Sequence, residues 1–310
     1  MSTTRRGLLA GAVATPLAAN ISVAASPTIP RAKRKVVLRG RAIAASRDGH
    51  TLLVAHDRRR TVAIHRGKAK PVVVDVVGMP LGVAIARDGR TAAASTGFWD
   101  KPGLSIVDLT HGAVRLRRTL GPAPGQLAFT PDGGRLVVVG GEQEGTLHVL
   151  ETDHFRTVKH AVLGRCPRGM AITADGRHAW VALAADDKVI EVDLQTGHTT
   201  RTLKHLALPD NLALSPDGRR LLVTHTHSDD ITEIDLRTGV RTTHAAGRHP
   251  TGVAWTSDGR RLVALGGDDA VQHLGGKRTA VGAAPRGLAV AGRRFFTVSN
   301  LTGAIHGGKA

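Results

Sequence analysis

The sequence predicts an all-β fold, a seven-bladed β-propeller with four-stranded antiparallel blades, and three observations carry that expectation. Asp-Gly pairs recur at 48–49, 88–89, 132–133, 175–176, 217–218 and 258–259, spaced by 40, 44, 43, 42 and 41 residues, a propeller-like period. Short apolar segments of alternating character flank each pair. The last repeat ends one strand early, near Ile305, while an unmatched apolar run, Val36-Val37-Leu38, precedes the first.

Each element follows from local chemistry. An inner strand begins close to a Pro-x-Gly and runs to the Asp-Gly turn, as in Leu212-Ala213-Leu214-Ser215-Pro216-Asp217-Gly218. Proline presets the turn and glycine, lacking Cβ, takes its left-handed position. A second apolar strand returns, followed by an alternating third such as Val189-Ile190-Glu191-Val192-Asp193-Leu194, which is the pattern of a strand with one buried face. Thr196-Gly197 and Thr238-Gly239 then turn the chain into a more polar fourth strand. Inner strands counted from Ala42, Gly82, Gln126, Gly169, Asn211, Gly252 and Gly287 make seven. One blade cannot bury both of its faces, so the blades stack into a ring. The strand at 36–38 is expected to complete the last blade, and the propeller domain to span 36–310.

The segment before it reads differently. Met1 to Ala25 carries Arg5-Arg6, a weakly apolar stretch from Gly7 to Ala19 and the small-residue end Val23-Ala24-Ala25. This resembles a twin-arginine signal peptide, because Gly7, Gly11 and Pro16 dilute the apolar stretch. It implies export of a folded chain to the periplasm or beyond. Residues 26–35, with two prolines and four basic residues, read as a linker.

Composition sets bounds. With 41% hydrophobic and 22% charged residues the chain is globular, and no apolar run reaches the length of roughly 18 residues that a membrane-spanning helix needs. Cys166 is the only cysteine, which excludes an intrachain disulfide and a cysteine-based zinc site. A net charge of +18 favours anionic partners, although an arginine-rich composition by itself accounts for it equally well.

The repeat resembles the YVTN-type β-propeller repeat, and the exported YncE-like group is the relative it points to. Ser215-Pro216-Asp217-Gly218 matches the Ser-Pro-Asp-Gly of that repeat and Thr130-Pro131-Asp132-Gly133 nearly does. The similarity covers about residues 36–308. It departs where the strand-ending Asn becomes His56, Thr96, Gly140, Leu183 and His225, with Asn kept at Asn300. Neither Gly-His nor Trp-Asp recurs from blade to blade, which argues against WD40.

Residues opening the inner strands and residues ending the second strands are expected to meet around the channel mouth. The openings supply Arg41, Arg168 and Arg286, with Gln126, Asp210 and Asn211, while His56, His225 and Asn300 end second strands. Converging guanidiniums suit carboxylate or phosphate. Trp99, in the longer loop Phe98-Trp99-Asp100-Lys101-Pro102, is a candidate lid or stacking surface. His225-Thr226-His227 puts two imidazoles on one side of an extended segment, but no third metal ligand is specified. The arginines after the Asp-Gly turns, including Arg90, Arg219 and Arg260, are expected to pair with the turn aspartates on the opposite face.

No triad, metal cluster or phosphate loop stands out, so neither a metal nor a cofactor is expected. The leading reading is a binding or scaffold propeller of the cell envelope, for a small anionic ligand or an acidic envelope component. A lactonase-type hydrolase using Gln126, Arg168, Asp210 and His225 is the enzymatic alternative. Weak nucleic-acid binding is a second, mainly electrostatic because this chain has no tyrosine to stack on bases.

Overall fold

The computed structural model describes residues 40–56, 59–97, 102–121 and 123–310. Within them the chain forms six four-stranded antiparallel sheets and a seventh of three strands, each running in chain order from inner to outer strand. The inner strands of blades 1 to 7 are Gly40–Ala45, Pro80–Ile85, Pro124–Phe129, Pro167–Ile172, Leu212–Leu214, Pro250–Trp255 and Pro285–Ala291. This is the seven-bladed propeller that the repeat implies. The strand expected at 36–38, the leader at 1–25 and the linker at 26–35 lie outside the described residues.

The Asp-Gly turns form as their chemistry requires. The six glycines have φ between 65° and 81°, the left-handed region that a side chain disfavours. In blades 1, 3, 4, 5 and 6 a Ser or Thr hydroxyl donates to the aspartate two residues on. In blades 1 to 5 that carboxylate also accepts the backbone N–H two residues later. The expected ion pair with the turn arginine is made, among the described residues, by Arg260 alone, 2.6 Å from Asp258. In blades 2 to 5 hydroxyl and backbone donors occupy the carboxylate, and Arg90, Arg135, Arg177 and Arg219 act on it through their nearby charge without a direct ion pair.

Packing between blades supplies the core. The second strands are buried on both sides: Leu136 to Val139 of blade 3 and Ala179 to Leu183 of blade 4 are all within 1% of complete burial. The outer strands are largely exposed, as at Thr199–Lys204. Seven apolar clusters fill the seven interfaces. The one that closes the ring joins Ile43, Leu52 and Val54 of blade 1 to Ala291, Phe296 and Val298 of blade 7.

Some of the positive charge has a structural task. Arg66 donates to the Leu109 carbonyl, Arg118 to His154 O (3.0 Å) and Arg201 to Leu236 O (2.7 Å), each reaching from one blade to the next. A guanidinium bonded to a neutral carbonyl keeps its full charge. The arginine excess is therefore partly a set of ties between blades, and it leaves the molecule electropositive.

Candidate ligand-binding site at the channel mouth

Three local devices place side chains at the mouth. The first is a slip in strand register just after the inner strand opens, between Gly40 and Ala42, Pro80 and Gly82, Pro124 and Leu127, Pro167 and Met170, and Pro250 and Gly252. Such bulges release a residue from the ladder and re-aim it; here they release Arg41, Leu81, Gly125, Arg168 and Thr251. In blade 5 Thr224 does this work, its carbonyl accepting Asp210 N and its hydroxyl accepting Asn211 N, both at 2.9 Å.

The second device is a left-handed residue immediately before the opening proline. Ala123, Cys166, Leu208, His249 and Ala284 have φ between 43° and 55°, a conformation that costs a residue with a Cβ about 1 kcal/mol or more. Something must hold it. For three of them the loop after the second strand of the preceding blade does so through an aspartate side chain: Asp187 Oδ1 accepts Leu208 N at 2.9 Å, Asp229 Oδ1 accepts His249 N at 2.8 Å and Asp269 Oδ1 accepts Ala284 N at 2.7 Å. The Glu142 carbonyl serves Cys166 in the same way. Each aspartate is itself left-handed, at φ 50° to 58°, a region that Asp and Asn tolerate because a short polar side chain bonds locally. Strain of this kind concentrates where a surface is pre-organised for a ligand.

The third device is the glycine that follows. A Cβ on Gly169 would lie 2.5 Å from Asp210 O and 2.7 Å from Asn211 Cα, and one on Gly82 would lie 2.6 Å from Gly125 O. Neighbouring inner strands touch at these points, which draws the rim into a narrow ring.

The product is a cavity of about 780 Å³. Its wall includes the same rim position of every blade, in order Arg41, Leu81, Gly125, Arg168, Asp210, Thr251 and Arg286, with Gln126, Asn211 and Asn300 beside them. Most of the residues expected at the mouth therefore come together. His56 and His225 do not. They are 3% and 4% exposed and do not line the cavity. Both ring nitrogens of His225 are engaged inside blade 5, Nδ1 with Ala207 O at 2.6 Å and Nε2 with Thr232 Oγ1 at 2.9 Å. The reason is the two-sided burial of the second strand: its last residue still lies between blades rather than on the rim. His227, its expected companion, is exposed. The lactonase set is accordingly split, with Gln126, Arg168 and Asp210 at the cavity and His225 away from it. Trp99 lies outside the described residues.

Charge is unevenly distributed around this wall. Arg168 is partly desolvated, which opposes its charge, but the Cys166 side chain, Asp210 and Glu142 outweigh that and raise its pKa. Arg165 is tied to Asp186 at 2.7 Å and to Ala185 O at 2.7 Å. Asp210 Oδ2 accepts from Thr226 Oγ1 at 2.7 Å. By contrast the guanidinium of Arg286 and the side-chain amides of Gln126 and Asn300 have no protein partner among the described residues.

The aspartate latches were not singled out from the sequence, although a signal for them exists. Acidic pairs stand at 186–187, 229–230 and 268–269, at nearly the repeat period and in the loop after the second strand. Aligning the repeats on the rim prolines rather than on Asp-Gly would have exposed them.

A model of YncE-like β-propellers matches residues 13–261. The chain belongs to the YncE-like β-propeller family. No curated protein matches it in sequence. Among solved structures it is similar to a chain of Kuenenia stuttgartiensis hydrazine synthase, with a TM-score of 0.78 at 17% identity over 91% of this chain and 99% of the other. At that identity the likeness extends to the fold alone, and it agrees with the family in giving a β-propeller.

Proposed function

We propose that this YncE-like propeller is a non-catalytic binding protein of the cell envelope that takes a small anionic ligand at its channel mouth. The observation that carries the reading is the convergence of Arg41, Arg168 and Arg286, from three separate blades, on one cavity. A low-dielectric funnel lined by like charges focuses its field on a counter-ion. Arginine matches carboxylate and phosphate geometry in bidentate fashion. The split of the lactonase set favours binding over hydrolysis. Export through the twin-arginine route is part of the proposal and rests on Arg5-Arg6 and the diluted apolar stretch after them.

Calorimetry with orthophosphate and small carboxylates tests the reading. Charge-assisted contacts contribute about 1.5–3 kcal/mol each, so Arg286→Ala should weaken binding roughly tenfold or more. Arg219→Ala, on the opposite face, should leave it unchanged. Equal effects from the two faces would reduce the site to bulk charge and overturn the reading, as would turnover of a lactone panel that Arg168→Ala abolishes. Arg5→Lys with Arg6→Lys should trap precursor in the cytoplasm, and normal secretion would refute that route.

A further inference from the structure

A second cavity lies at the other end of the inner strands, between blades 2 and 3, where the repeat departs from its own pattern. The turn after the third strand is built alike in blades 2, 4 and 5. A buried leucine, Leu109, Leu194 or Leu236, donates its N–H to the carbonyl of the residue that follows the Asp-Gly pair and packs against the preceding blade. A left-handed glycine, Gly112, Gly197 or Gly239, comes three residues later. Blade 3 makes the same backbone bond from Thr152 to Gly134 O, at 3.1 Å, but has a short polar side chain in place of leucine and Phe155 in place of glycine. Phe155 is held at φ 53°, a conformation that a bulky side chain rarely adopts and that gathers at functional sites. Its ring joins the apolar core between blades 2 and 3. Beside it a cavity of about 570 Å³ stays open, with Thr152, Phe129 and Phe155 in its wall.

The polar groups of that wall are not all spent on the fold. Asp88 and Asp132 are, because their carboxylates accept the hydroxyl and backbone donors of their own turns. Arg87 makes one hydrogen bond among the described residues, to Pro131 O at 3.2 Å, and its remaining N–H groups are available. The Arg115 guanidinium stands over the Phe155 ring, 5.7 Å from its centroid. Neither Arg115 nor the Asp153 carboxylate, which also lines the cavity, has a hydrogen-bond or ion-pair partner among the described residues. The groove therefore offers spare cationic donors, one spare carboxylate and an aromatic wall.

We propose that this groove is a second binding site, for a free amino acid with a branched aliphatic side chain. Arg115 and Arg87 take the α-carboxylate and Asp153 takes the α-ammonium. The side chain lies against Phe129 and Phe155, at the level where the other blades place a leucine. A zwitterion satisfies both signs of charge at once, whereas a simple anion leaves Asp153 opposed and a simple cation meets two arginines. The groove shares no residue with the cavity at the channel mouth, so this site stands or falls independently of the anion site.

Calorimetry of the full propeller with L-leucine, L-isoleucine and L-valine in turn tests the site, with thermal melting of each variant as a check on folding. At least one should bind. Its deaminated and decarboxylated analogues (isocaproate and isoamylamine in the case of leucine) should bind about fivefold weaker or worse, and so should glycine. Arg115→Ala and Asp153→Asn, both at exposed side chains, should each cost about fivefold, the reach of an exposed charge pair, at an unchanged melting temperature. Thr152→Leu restores the residue of the other blades and should abolish binding in a protein that melts no lower than wild type. Arg286→Ala, at the mouth, should change nothing. The proposal is overturned if none of the three amino acids binds the folded wild type, or if glycine or a singly charged analogue binds as well as they do. It is overturned equally if Arg115→Ala and Asp153→Asn leave the affinity unchanged, if Arg286→Ala costs as much as Arg115→Ala, or if a folded Thr152→Leu variant binds like wild type.

Discussion

Replacing Asp269 by alanine, and separately by asparagine, probes how the mouth is held in shape. Asp269 Oδ1 accepts the N–H of Ala284 at 2.7 Å, and Asp269 and Ala284 are both left-handed, at φ 52° and 49°. Alanine removes the acceptor. A hydrogen bond to a charged group can be worth more, but Asp269 is exposed and its charge is screened, so about 1 kcal/mol is lost. Alanine also sits poorly at φ 52°, which adds about 1 kcal/mol. Together these destabilise by about 2 kcal/mol, or a melting temperature lower by about 4–8 °C in a domain of this size class. Asparagine keeps an oxygen acceptor and tolerates the left-handed backbone, so it should lie within about 0.5 kcal/mol of wild type. Differential scanning calorimetry measures both, and phosphate affinity should follow the same order because Arg286 stands two residues beyond the latched Ala284. An alanine variant that melts with wild type, or an asparagine variant as damaged as alanine, would show that the latch does not hold the rim.

Two further predictions concern charge inside the blades. Glu233 is 8% exposed and faces Arg220 at 3.1 Å, Arg261 at 2.6 Å and His244 at 3.0 Å; its burial would raise its pKa, but Arg261, His244 and Arg220 together lower it. Glu233→Gln should cost about 2 kcal/mol, below the 3–5 of a fully buried pair because Arg220 and Arg261 reach solvent, and an unchanged urea midpoint would refute this. His148, whose ring lies tilted against that of His160 with centroids 4.7 Å apart, is depressed to about 4 by burial and then by the neighbouring imidazole. Between the unfolded value of about 6.5 and the folded value of about 4 the unfolded chain binds a proton that the folded chain refuses. Stability must then fall as pH drops through that window, by about 1–2 kcal/mol after solvent screening. His148→Gln should flatten the stability profile between those pH values while leaving the acid loss below it, where the turn aspartates protonate; identical slopes in both proteins would contradict the assignment.

The repeat was legible because its determinants are local. A glycine at φ 70° after Asp217, a hydroxyl two residues before the aspartate and an alternating apolar strand depend on side chains a few positions apart. The spacing of such units shows in one sequence whatever surrounds them. The rim positions Arg41, Arg168, Asp210 and Arg286 were legible for the same reason, since each follows directly from the chain start of an inner strand.

What sequence alone determined was therefore the period, the seven blades, the turn chemistry and the set of residues that open the inner strands. Tertiary structure decided which of those residues face the cavity and in what electrostatic company. His56 and His225 end their strands as expected, yet the adjoining blades cover both sides of those strands and leave them no path to the mouth. Arg168 and Arg286 occupy equivalent places in the repeat, but the Cys166 side chain, Asp210 and Glu142 favour the charge of the first, while the second has no protein partner among the described residues. Asp269 meets Ala284 across a blade boundary, 15 residues on. A repeat writes the same backbone seven times. Burial and charge at any one copy come from its neighbours in the ring, and those contacts exist only once the blades have stacked.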